Sequence, residues 1–336
     1  MRLPKFEYVK ATSTEEALEV LKKYGKSARL LAGGTDLLVN MKYRVTRPEI
    51  VIGIKSVKEL SLISPAPDGH TRIGAGVTLN DLAGNGLIAE KFPAFNSAVK
   101  SVASQHIRNM ASIGGNICLD TRCWYYNQSQ LWRDSRELCH KTGGKVCHAI
   151  KGSNRCHAIN NADTAPVLMA LDANITAVKK GGERVIPVKD FFKDNGARHT
   201  VLEPEEMLTA VLLPESDGNS HSTFIKVSIR KGLDFAHGSI AALVRGNGKG
   251  CTEVRLIIGS MTSAPLTLEK SSQIIIESGL TEGSIEKAAV TARSELGTLT
   301  NLFTSAGYKR HLAEVLVKRA LNEIKAQMKK TRRSKN

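Results

Sequence analysis

The chain of 336 residues contains 41% hydrophobic and 24% charged residues and has a formal net charge of +16. This length and composition indicate a globular protein with two or three domains, each large enough to fold without disulfide staples. There is no run of 18 apolar residues and no apolar signal sequence at the N-terminus. We therefore expect a cytoplasmic protein without a membrane span and with reduced cysteines.

The excess of basic residues raises the question of a nucleic-acid partner. Aromatic residues make up only 5% of the chain, and no basic stripe with interleaved aromatics is present. The densest basic cluster is the C-terminal tail, residues 329–336, which has the composition of a disordered end. We expect no nucleic-acid partner and attribute the charge to an acidic protein partner or an anionic cofactor.

The first predicted element is a helix that Ser13 caps, with Glu16 completing a capping box, and that Gly25 ends. A short strand at residues 28–31 then leads into a first glycine turn, residues 32–37, followed by apolar residues. This order is typical of a loop that binds phosphate through backbone N–H groups. The spacing fits neither the Rossmann fingerprint nor a P-loop, and two glycines also fit a plain tight turn.

A second glycine turn, residues 112–116, follows about 80 residues later. Between the turns we predict a buried strand at 50–54, two strands joined by a turn at 65–69, a helix start at 78–81 and a helix at 93–103. Two glycine turns bracketed by apolar segments are consistent with one ligand held between two small α/β units.

The rest of the chain reads as mixed helix and strand on both sides of a linker. Before the linker, residues 163–171 are predicted to be helical, residues 174–178 and 184–187 to form a hairpin, and residues 207–213 to form a strand. The linker itself is residues 214–220. After it, we predict strands at 224–229, 240–245 and 254–258 and helices at 283–295 and 305–328.

Five of the six cysteines lie between residues 118 and 156, in a polar segment with few residues able to build a core. Metal ligation can supply the folding energy that burial does not. The spacing contains no C-x-x-C pair, so neither a zinc ribbon nor a ferredoxin pattern is matched. Histidine follows three of these cysteines, so the spacing alone leaves an iron–sulfur cluster and a mixed Cys/His zinc site open. The remaining alternative is that these cysteines are separate buried thiols with no shared ligand, and so dense a cluster of cysteines argues against it.

The two glycine turns, with Ile107-Arg108-Asn109 between them, resemble the flavin-binding subunits of the molybdenum hydroxylases. The resemblance covers nearly the whole chain, including residues 163–166, 206–208 and 225–230. It implies an α+β class, with a two-subdomain FAD-binding fold of the vanillyl-alcohol-oxidase type and a C-terminal α+β domain. The implied domains are residues 1–56 and 57–214 for FAD, with an insertion at about 119–160, then residues 221–328 and a basic tail at 329–336.

The resemblance also implies which residues contact FAD. The two turns would hold the pyrophosphate and the ribityl chain through backbone N–H groups. Asp163 would be an acidic contact to FAD, and Leu208 would be an apolar contact to the isoalloxazine. Lys226 would be a lysine near the cofactor. Asp163 also fits a helix cap, and Lys226 a solvated strand residue. The implied cofactor-binding residues are Ala32, Gly33, Gly34, Thr35, Asp36, Leu37, Ser112, Ile113, Gly114, Gly115, Asn116, Asp163, Leu208 and Lys226.

The insertion is absent from most of that family and resembles one branch, the β subunits of 4-hydroxybenzoyl-CoA reductases. That likeness implies a [4Fe–4S] cluster on four thiolates, with Cys118 a packed thiol and the three following histidines bystanders. The implied metal ligands are Cys123, Cys139, Cys147 and Cys156.

The implied function is an electron-transfer flavoprotein subunit that relays electrons from ferredoxin for the reductive dehydroxylation of 4-hydroxybenzoyl-CoA to benzoyl-CoA. The implied partners are a molybdenum-cofactor large subunit and a [2Fe–2S] small subunit, in a dimer of heterotrimers. Two alternatives stay open. One is the FAD subunit of another molybdenum hydroxylase, of the xanthine dehydrogenase type and linked to NAD(P). The other is a zinc-stabilised scaffold.

Overall fold

Three β-sheets, each with its own hydrophobic core, organise the chain in a computed structural model. The structure describes residues 2–66, 68–216, 218–230, 232–246, 250–298, 300–302 and 304–335, with no side chains described beyond residue 331. Pro67 of the predicted turn, Asp217 of the predicted linker and Asn336 of the tail lie outside the described residues. Within the described helices, none is long and apolar enough to cross a membrane.

The N-terminal part is a small parallel sheet with strand order β1-β3-β2. Ser13 Oγ accepts from the backbone N–H of Glu16 at 3.2 Å, as expected for the helix cap, and Gly25 ends the helix with φ +48°. The predicted capping box is wrong, because the Glu16 carboxylate accepts from the backbone N–H of Thr12 instead, at 2.7 Å. The elements are β1 (Glu7–Lys10), α1 (Thr14–Tyr24), β2 (Ala28–Leu31), α2 (Leu37–Lys42) and β3 (Ile50–Gly53).

The middle part packs helices on a five-stranded antiparallel sheet with strand order β4-β5-β8-β6-β7. The elements before the insertion are β4 (Ile63–Pro65), β5 (Thr71–Gly74), α3 (Leu79–Gly84), α4 (Gly86–Lys91), α5 (Pro93–Ser101), α6 (Gln105–Arg108) and α7 (Ile113–Ile117). Within and after the insertion come α8 (Gln130–Asp134), α9 (Ala165–Ala170), β6 (Asn174–Lys179), β7 (Gly182–Pro187), α10 (Val188–Phe191) and β8 (Met207–Leu213). The predicted hairpin and the strand at 207–213 are confirmed.

The C-terminal part is a four-stranded antiparallel sheet covered by three helices. Sequence reasoning missed α11, and the prediction of a disordered tail is wrong for residues 329–335, because α13 continues to Lys335. The elements are β9 (Ser220–Val227), β10 (Gly238–Gly246), β11 (Cys251–Gly259), β12 (Leu266–Thr267), α11 (Glu269–Ser278), α12 (Glu282–Glu295) and α13 (Ala306–Lys335). The α+β class is confirmed, whereas the exact domain limits stay a prediction.

The insertion, residues 119–160, contributes to none of the three hydrophobic cores. Its only α-helix is α8, and Cys156 and Ala158 are its only buried apolar residues. Backbone hydrogen bonds in both directions between Arg122 and Ile159, each 2.8 Å, close the neck of this segment. As the composition predicts, something other than apolar burial has to hold it in place.

Candidate functional site

A cleft of ≈ 1310 Å³, the cofactor cleft, opens where the two glycine turns meet. It is lined by every predicted cofactor residue except Ile113 and Lys226. Ile113 is completely buried in the core of the middle part, so its side chain packs rather than lines the cleft. A cleft of this size is large enough for a dinucleotide, since drug-sized ligands occupy about 300–1,000 Å³.

The two turns touch through their backbones. A Cβ on Gly33 would lie 1.7 Å from the carbonyl oxygen of Met110, just before the second turn. Gly34 has φ +72°, a left-handed conformation that favours glycine. Only glycine at these two positions therefore permits the chain to approach itself so closely and then reverse into α2.

The first turn offers free hydrogen-bond donors to the cleft. Among the described residues, no protein acceptor takes a hydrogen bond from the backbone N–H groups of residues 33–37. These residues are half-buried beside the cleft, so their run of open N–H groups is available to an anionic ligand. This arrangement fits the phosphate-binding role that the sequence predicts for the first turn.

The second turn is built differently, and the prediction for it needs correction. It forms the first turn of α7, and its N–H groups donate within the protein: Ile113 to Val77 O at 3.0 Å, Gly114 to Ala75 O at 2.9 Å and Gly115 to Ser112 Oγ at 3.1 Å. Asn116 N–H donates to the Ser112 carbonyl at 2.9 Å. A Cβ on Gly114 would lie 2.8 Å from that of Ala75, so this glycine serves close packing. These backbone groups shape the wall of the cleft and are not open donors.

A buried ion pair forms another part of the site. Lys226 Nζ donates to Asp163 Oδ2 at 2.7 Å and to the carbonyl of Ser101 at 3.0 Å, and both charged side chains are less than a tenth exposed. Neither alternative interpretation holds, because the N-terminal cap of α9 is Thr164 and Lys226 is not solvated. Lys226 stands behind Asp163 rather than in the cleft and fixes its carboxylate.

The second oxygen of Asp163, Oδ1, is buried and has no hydrogen-bond partner among the residues that the structure describes. Burial raises the pKa of Asp163 to about 6, against the opposing effect of Lys226. A buried, unpaired carboxylate oxygen is costly unless a ligand supplies a donor. Asp163 lines the cleft, so this oxygen is suited to accept a hydrogen bond from a bound cofactor.

The four predicted metal ligands surround a second, smaller space, which we call the cysteine cavity. Cys123, Cys139, Cys147 and Cys156 all line it, and its volume is ≈ 20 Å³. Cys118 lies apart from this cavity: it packs against the core of the middle part, as the resemblance implies, and also lines the cofactor cleft. All six cysteines are free thiols.

The three histidines that follow cysteines line the same cavity and make hydrogen bonds within the insertion. His140 Nε2 lies 3.0 Å from Ser153 O, His148 Nε2 lies 2.8 Å from Glu137 O, and His157 Nε2 lies 2.7 Å from Ser153 Oγ. One ring nitrogen of each is thus engaged by the protein. Within the described residues, the other ring nitrogen of each stays available, so their role as bystanders remains a prediction.

The cysteine cavity does not present a site for a single ion. Within the part of the chain that the structure describes, no group of three or more His, Cys, Asp or Glu side chains is placed to hold one metal ion. Four thiolates on one zinc ion lie about 3.8 Å apart, whereas a cubane receives each thiolate at a separate iron. The described positions of the four thiols therefore match neither a bound zinc ion nor a bound cluster as they stand. The cavity is about the size of one water site, so the thiols would have to turn outward to seat a cluster.

Burial also affects the thiols themselves. It raises the pKa of Cys123 to about 11 and raises that of Cys156 above its ordinary value. Thiols in this state are protonated at neutral pH, whereas metal ligation requires thiolates. Seating a metal group here would release protons.

Two side chains, Tyr126 and Lys141, line both the cofactor cleft and the cysteine cavity. Lys141 Nζ lies 4.8 Å from the centre of the Tyr126 ring and is 2.7 Å from Asp120 Oδ1 and 2.9 Å from the carbonyl of Gly196. Its side chain is only 5% exposed. The two spaces are therefore separated by one layer of side chains.

Two sequence families cover this architecture. The family described as the FAD binding domain in molybdopterin dehydrogenase matches residues 4–216, and the CO dehydrogenase flavoprotein C-terminal domain matches residues 223–324. The chain belongs to the FAD-binding subunits of the xanthine and CO dehydrogenase family. The predicted family and the FAD cofactor are thereby confirmed.

This FAD-binding subunit has full-length relatives. It is 30% identical over 320 residues to the FAD-binding subunit of aldehyde oxidoreductase from Escherichia coli, with 91% of this chain and 95% of the relative covered. It is 26% identical over 325 residues to the glyceraldehyde dehydrogenase medium chain from Sulfolobus acidocaldarius, covering 96% and 99%. The carbon monoxide dehydrogenase structure from Hydrogenophaga pseudoflava matches with a TM-score of 0.80 at 25% identity, over 97% of this chain and 99% of that one.

Sequence reasoning missed several residues that line the cleft of this FAD-binding subunit. Arg122, Tyr126 and Lys141 come from the insertion, and Leu233 and Phe235 come from the loop between β9 and β10. His199, whose pKa burial lowers, comes from the loop before β8. They lie far apart in sequence and follow no periodic pattern, so only the folded chain brings them together. One sequence signal could have pointed to Arg122, namely its position directly before Cys123, since this places a cation beside a predicted metal ligand.

Proposed function

We propose that this chain is the FAD and [4Fe–4S] electron-transfer subunit of a molybdenum-containing 4-hydroxybenzoyl-CoA reductase. The observation that carries the proposal is the shared wall of Tyr126 and Lys141, which lies between a dinucleotide-sized cleft and a cavity with four cysteines. Two redox groups separated by one layer of side chains can exchange electrons, and this explains why the insertion lies against the cleft.

The residues that would hold FAD are those whose polar groups remain open. The N–H groups of residues 33–37 would bind the pyrophosphate, Asp163 Oδ1 would accept a donor of the cofactor, and Leu208 would contact the isoalloxazine. Cys123, Cys139, Cys147 and Cys156 would ligate the cluster. FAD accepts electrons singly or in pairs whereas a cluster passes one at a time, so together they connect carriers of different stoichiometry.

The substrate reaction would take place on a partner subunit. Two electrons and two protons convert 4-hydroxybenzoyl-CoA to benzoyl-CoA and water, as the C–O bond to the phenolic hydroxyl breaks and a C–H bond forms. This chain would deliver electrons, through a [2Fe–2S] small subunit, to a molybdenum-cofactor large subunit. The support for this substrate is the likeness of the insertion to that of the reductase β subunits. We propose the same assembly, a dimer of heterotrimers, and a cytoplasmic location.

The donor we propose is reduced ferredoxin, and the net charge of +16 supports docking of an acidic partner. Electrostatically steered association weakens as salt screens the charges. We expect the ferredoxin-dependent rate of the assembled complex to fall steeply with added salt. A rate independent of salt would contradict this role for the charge.

A second candidate is the FAD subunit of a different molybdenum hydroxylase, linked to NAD(P). It is favoured by the relatives, which include the xanthine dehydrogenase FAD-binding subunit from Escherichia coli O157:H7, 24% identical over 323 residues. The cysteine cavity argues against it, because the resemblance on which the proposal rests implies that most of that family lacks the insertion.

The two candidates differ in cofactor and donor, and a single preparation tests both. The isolated chain, assembled anaerobically, should show flavin and iron–sulfide absorption together, with four iron atoms per chain as the cubane requires. The assembled complex should then be assayed with reduced ferredoxin and 4-hydroxybenzoyl-CoA, and with NAD(P) and xanthine. Flavin without iron, or zinc in place of iron, would overturn the relay. Turnover only with NAD(P) would favour the second candidate.

A further inference from the structure

Arg122 connects the two proposed cofactor sites. It immediately precedes Cys123, and its backbone pairs with Ile159 at the neck of the insertion. Its guanidinium forms an ion pair with the carboxylate of Asp36 in the first glycine turn. The guanidinium carbon also lies 5.3 Å from the centre of the Phe235 ring, in the loop between β9 and β10. One side chain of the cysteine segment thus contacts two walls of the cofactor cleft.

The pair with Asp36 is positioned where it can affect the cofactor. Both side chains are only about a fifth to a quarter exposed. Asp36 stands within the run of open N–H groups and is followed by α2, whose N-terminal cap it occupies without making a side-chain capping bond. Burial raises the pKa of Asp36 and Arg122 opposes that effect. Since an uncompensated buried charge is strongly destabilising, displacement of Arg122 would disturb the turn that holds the phosphates.

The segment that carries Arg122 is held by hydrogen bonds rather than by apolar packing, since Thr121 and Lys141 donate to the carbonyl of Gly196 and Arg133 donates to those of Tyr43 and Arg44. It belongs to no hydrophobic core, and the four cysteines must turn outward to receive a metal group. Ligation of Cys123 would constrain the backbone next to Arg122, and ligation of Cys156 would constrain the opposite strand of the neck near Ile159. Filling the cysteine cavity therefore acts directly on the residue that contacts Asp36.

We infer that Arg122 is a positioning residue that couples the two sites: a filled cysteine cavity holds Arg122 against Asp36 and Phe235 and so tightens the binding of FAD. The inference rests on the proposed function, since it requires both cofactors. Coupling of this kind is reciprocal, so bound FAD also favours cluster retention. Coupled sites typically change each other's affinity by about 5- to 150-fold, and we expect roughly tenfold here.

Arg133 offers a matched control. It is also an arginine of the insertion that reaches outside it, and its guanidinium donates to the carbonyls of Tyr43 at 3.2 Å and Arg44 at 2.8 Å. Neither Arg133 nor those two residues line the cofactor cleft. Loss of Arg133 therefore removes a contact between the insertion and the N-terminal part without removing a contact to the cleft.

The test measures the FAD dissociation constant, by fluorescence titration, for the full chain with and without its reconstituted iron–sulfide content. The ratio of the two constants is the coupling. We expect a ratio of about ten in the wild type and in Arg133→Met. The ratio should fall to near one in Arg122→Met and in Asp36→Asn. In Arg122→Lys it should lie between these values. The double variant of Arg122 and Asp36 should lose no more coupling than either alone, because both act through one contact.

Each outcome decides the inference. A ratio of one in the wild type overturns the inference. A ratio near ten in Asp36→Asn also overturns it. Asp36→Asn is an isosteric change, so it tests the contact even if Arg122→Met does not fold. Equal loss of coupling in Arg133→Met also overturns it, because the effect would then belong to the whole insertion. If the chain binds iron and flavin but the two show no coupling, the proposed function stays intact and only the inference fails. If the chain binds no iron, both the inference and the proposed function are overturned.

Discussion

The cofactor cleft and the cysteine cavity lie side by side but are held together by different forces. The cleft is bounded by two sheets with extensive buried cores, and its narrowest contact, at Gly33, depends on the absence of a side chain. The cysteine cavity lies in a segment outside every core, closed by a pair of backbone hydrogen bonds at its neck. Apolar packing thus supports the cleft, whereas the cysteine cavity is held by hydrogen bonds at its neck and to carbonyls outside the insertion, such as that of Gly196.

This difference predicts opposite responses to mutation. The cleft should be sensitive to shape and to buried charge, because its packed walls relax only partially. The cysteine segment should tolerate surface changes and respond sharply to loss of a ligand. The following experiments, taken from the largest expected effect to the smallest, test that contrast.

Replacing Cys139 by Ser should have the largest effect, because a cubane that loses one of four thiolates is poorly retained. We expect the iron content to fall nearly to zero and the insertion to loosen, while the helical circular dichroism of the whole chain changes little. Both tryptophans, Trp124 and Trp132, lie in the insertion, so their fluorescence reports on that segment alone.

The matched control for this change is Cys118→Ser, which removes a thiol outside the cavity. We expect its iron content to match the wild type. Full iron retention in Cys139→Ser would contradict the assignment of the ligands. Flavin reduction by ferredoxin, compared between Cys139→Ser and the wild type, would show whether the cluster is a relay; Cys118→Ser serves only as the control for iron content, because Cys118 lines the cofactor cleft. Bound FAD that ferredoxin no longer reduces is the expected result.

The next largest effect should come from Gly33→Ala, since the added Cβ would lie 1.7 Å from Met110 O, a backbone atom that cannot move alone. The two turns would have to separate, and we expect FAD affinity to fall by on the order of 100-fold, about 2.8 kcal/mol. Gly84→Ala is the control, because nothing lies within 4 Å of its Cβ position. Comparable FAD affinity in the two variants would show that the cleft is less rigid than its packing indicates.

Asp163→Asn tests the buried charge of the cleft. Because burial raises its pKa from 3.8 to about 6, the stability that Asp163 contributes is complete below pH 4 and is lost as the pH rises through 6. Relative to Asp163→Asn, the wild-type chain without FAD should lose on the order of 3 kcal/mol of unfolding free energy between pH 4 and pH 7. Denaturation followed by circular dichroism measures this difference, and a difference independent of pH would contradict it.

The smallest effect is expected for Leu131→Ala in the insertion. Leu131 is 84% exposed, so its removal should change the free energy of unfolding by less than about 0.5 kcal/mol. Leu82→Ala provides the contrast, because Leu82 is fully buried in the core of the middle part and its loss should cost about 2–5 kcal/mol. Similar losses for the two leucines would mean that the insertion packs more tightly than its exposure indicates.

Much of the fold could be predicted from the sequence where local chemistry decides the outcome. The cap at Ser13, the stop at Gly25 and the 174–187 hairpin follow from residue types at fixed spacing. The helix α11 was missed because its buried positions include Ser271 and Ser272, which weaken the apolar pattern. The last turns of α13 were missed because their basic composition matches that of a disordered end.

The candidate site divides in the same way. Glycine pairs and a dense run of cysteines are local signals that located the two turns and the cysteine segment, and the family resemblance implied which four thiols line one cavity. The difference between the turns could not be predicted, because whether an N–H group is open depends on acceptors such as Ala75 O and Val77 O from another part of the chain. The partners of Asp36 and Asp163 were hidden for the same reason.

The sequence by itself determined the family, the FAD-binding domain and the positions of the glycines and cysteines, because these depend on residue identity along the chain. Only the tertiary structure decided that Ile113 is a core residue, that Lys226 lies behind Asp163, and that Tyr126 and Lys141 lie between the two spaces. The physical reason is that burial and hydrogen-bond pairing are properties of contacts between residues distant in sequence. Residue identity fixes which groups are present, and folding fixes which of them remain open to a ligand.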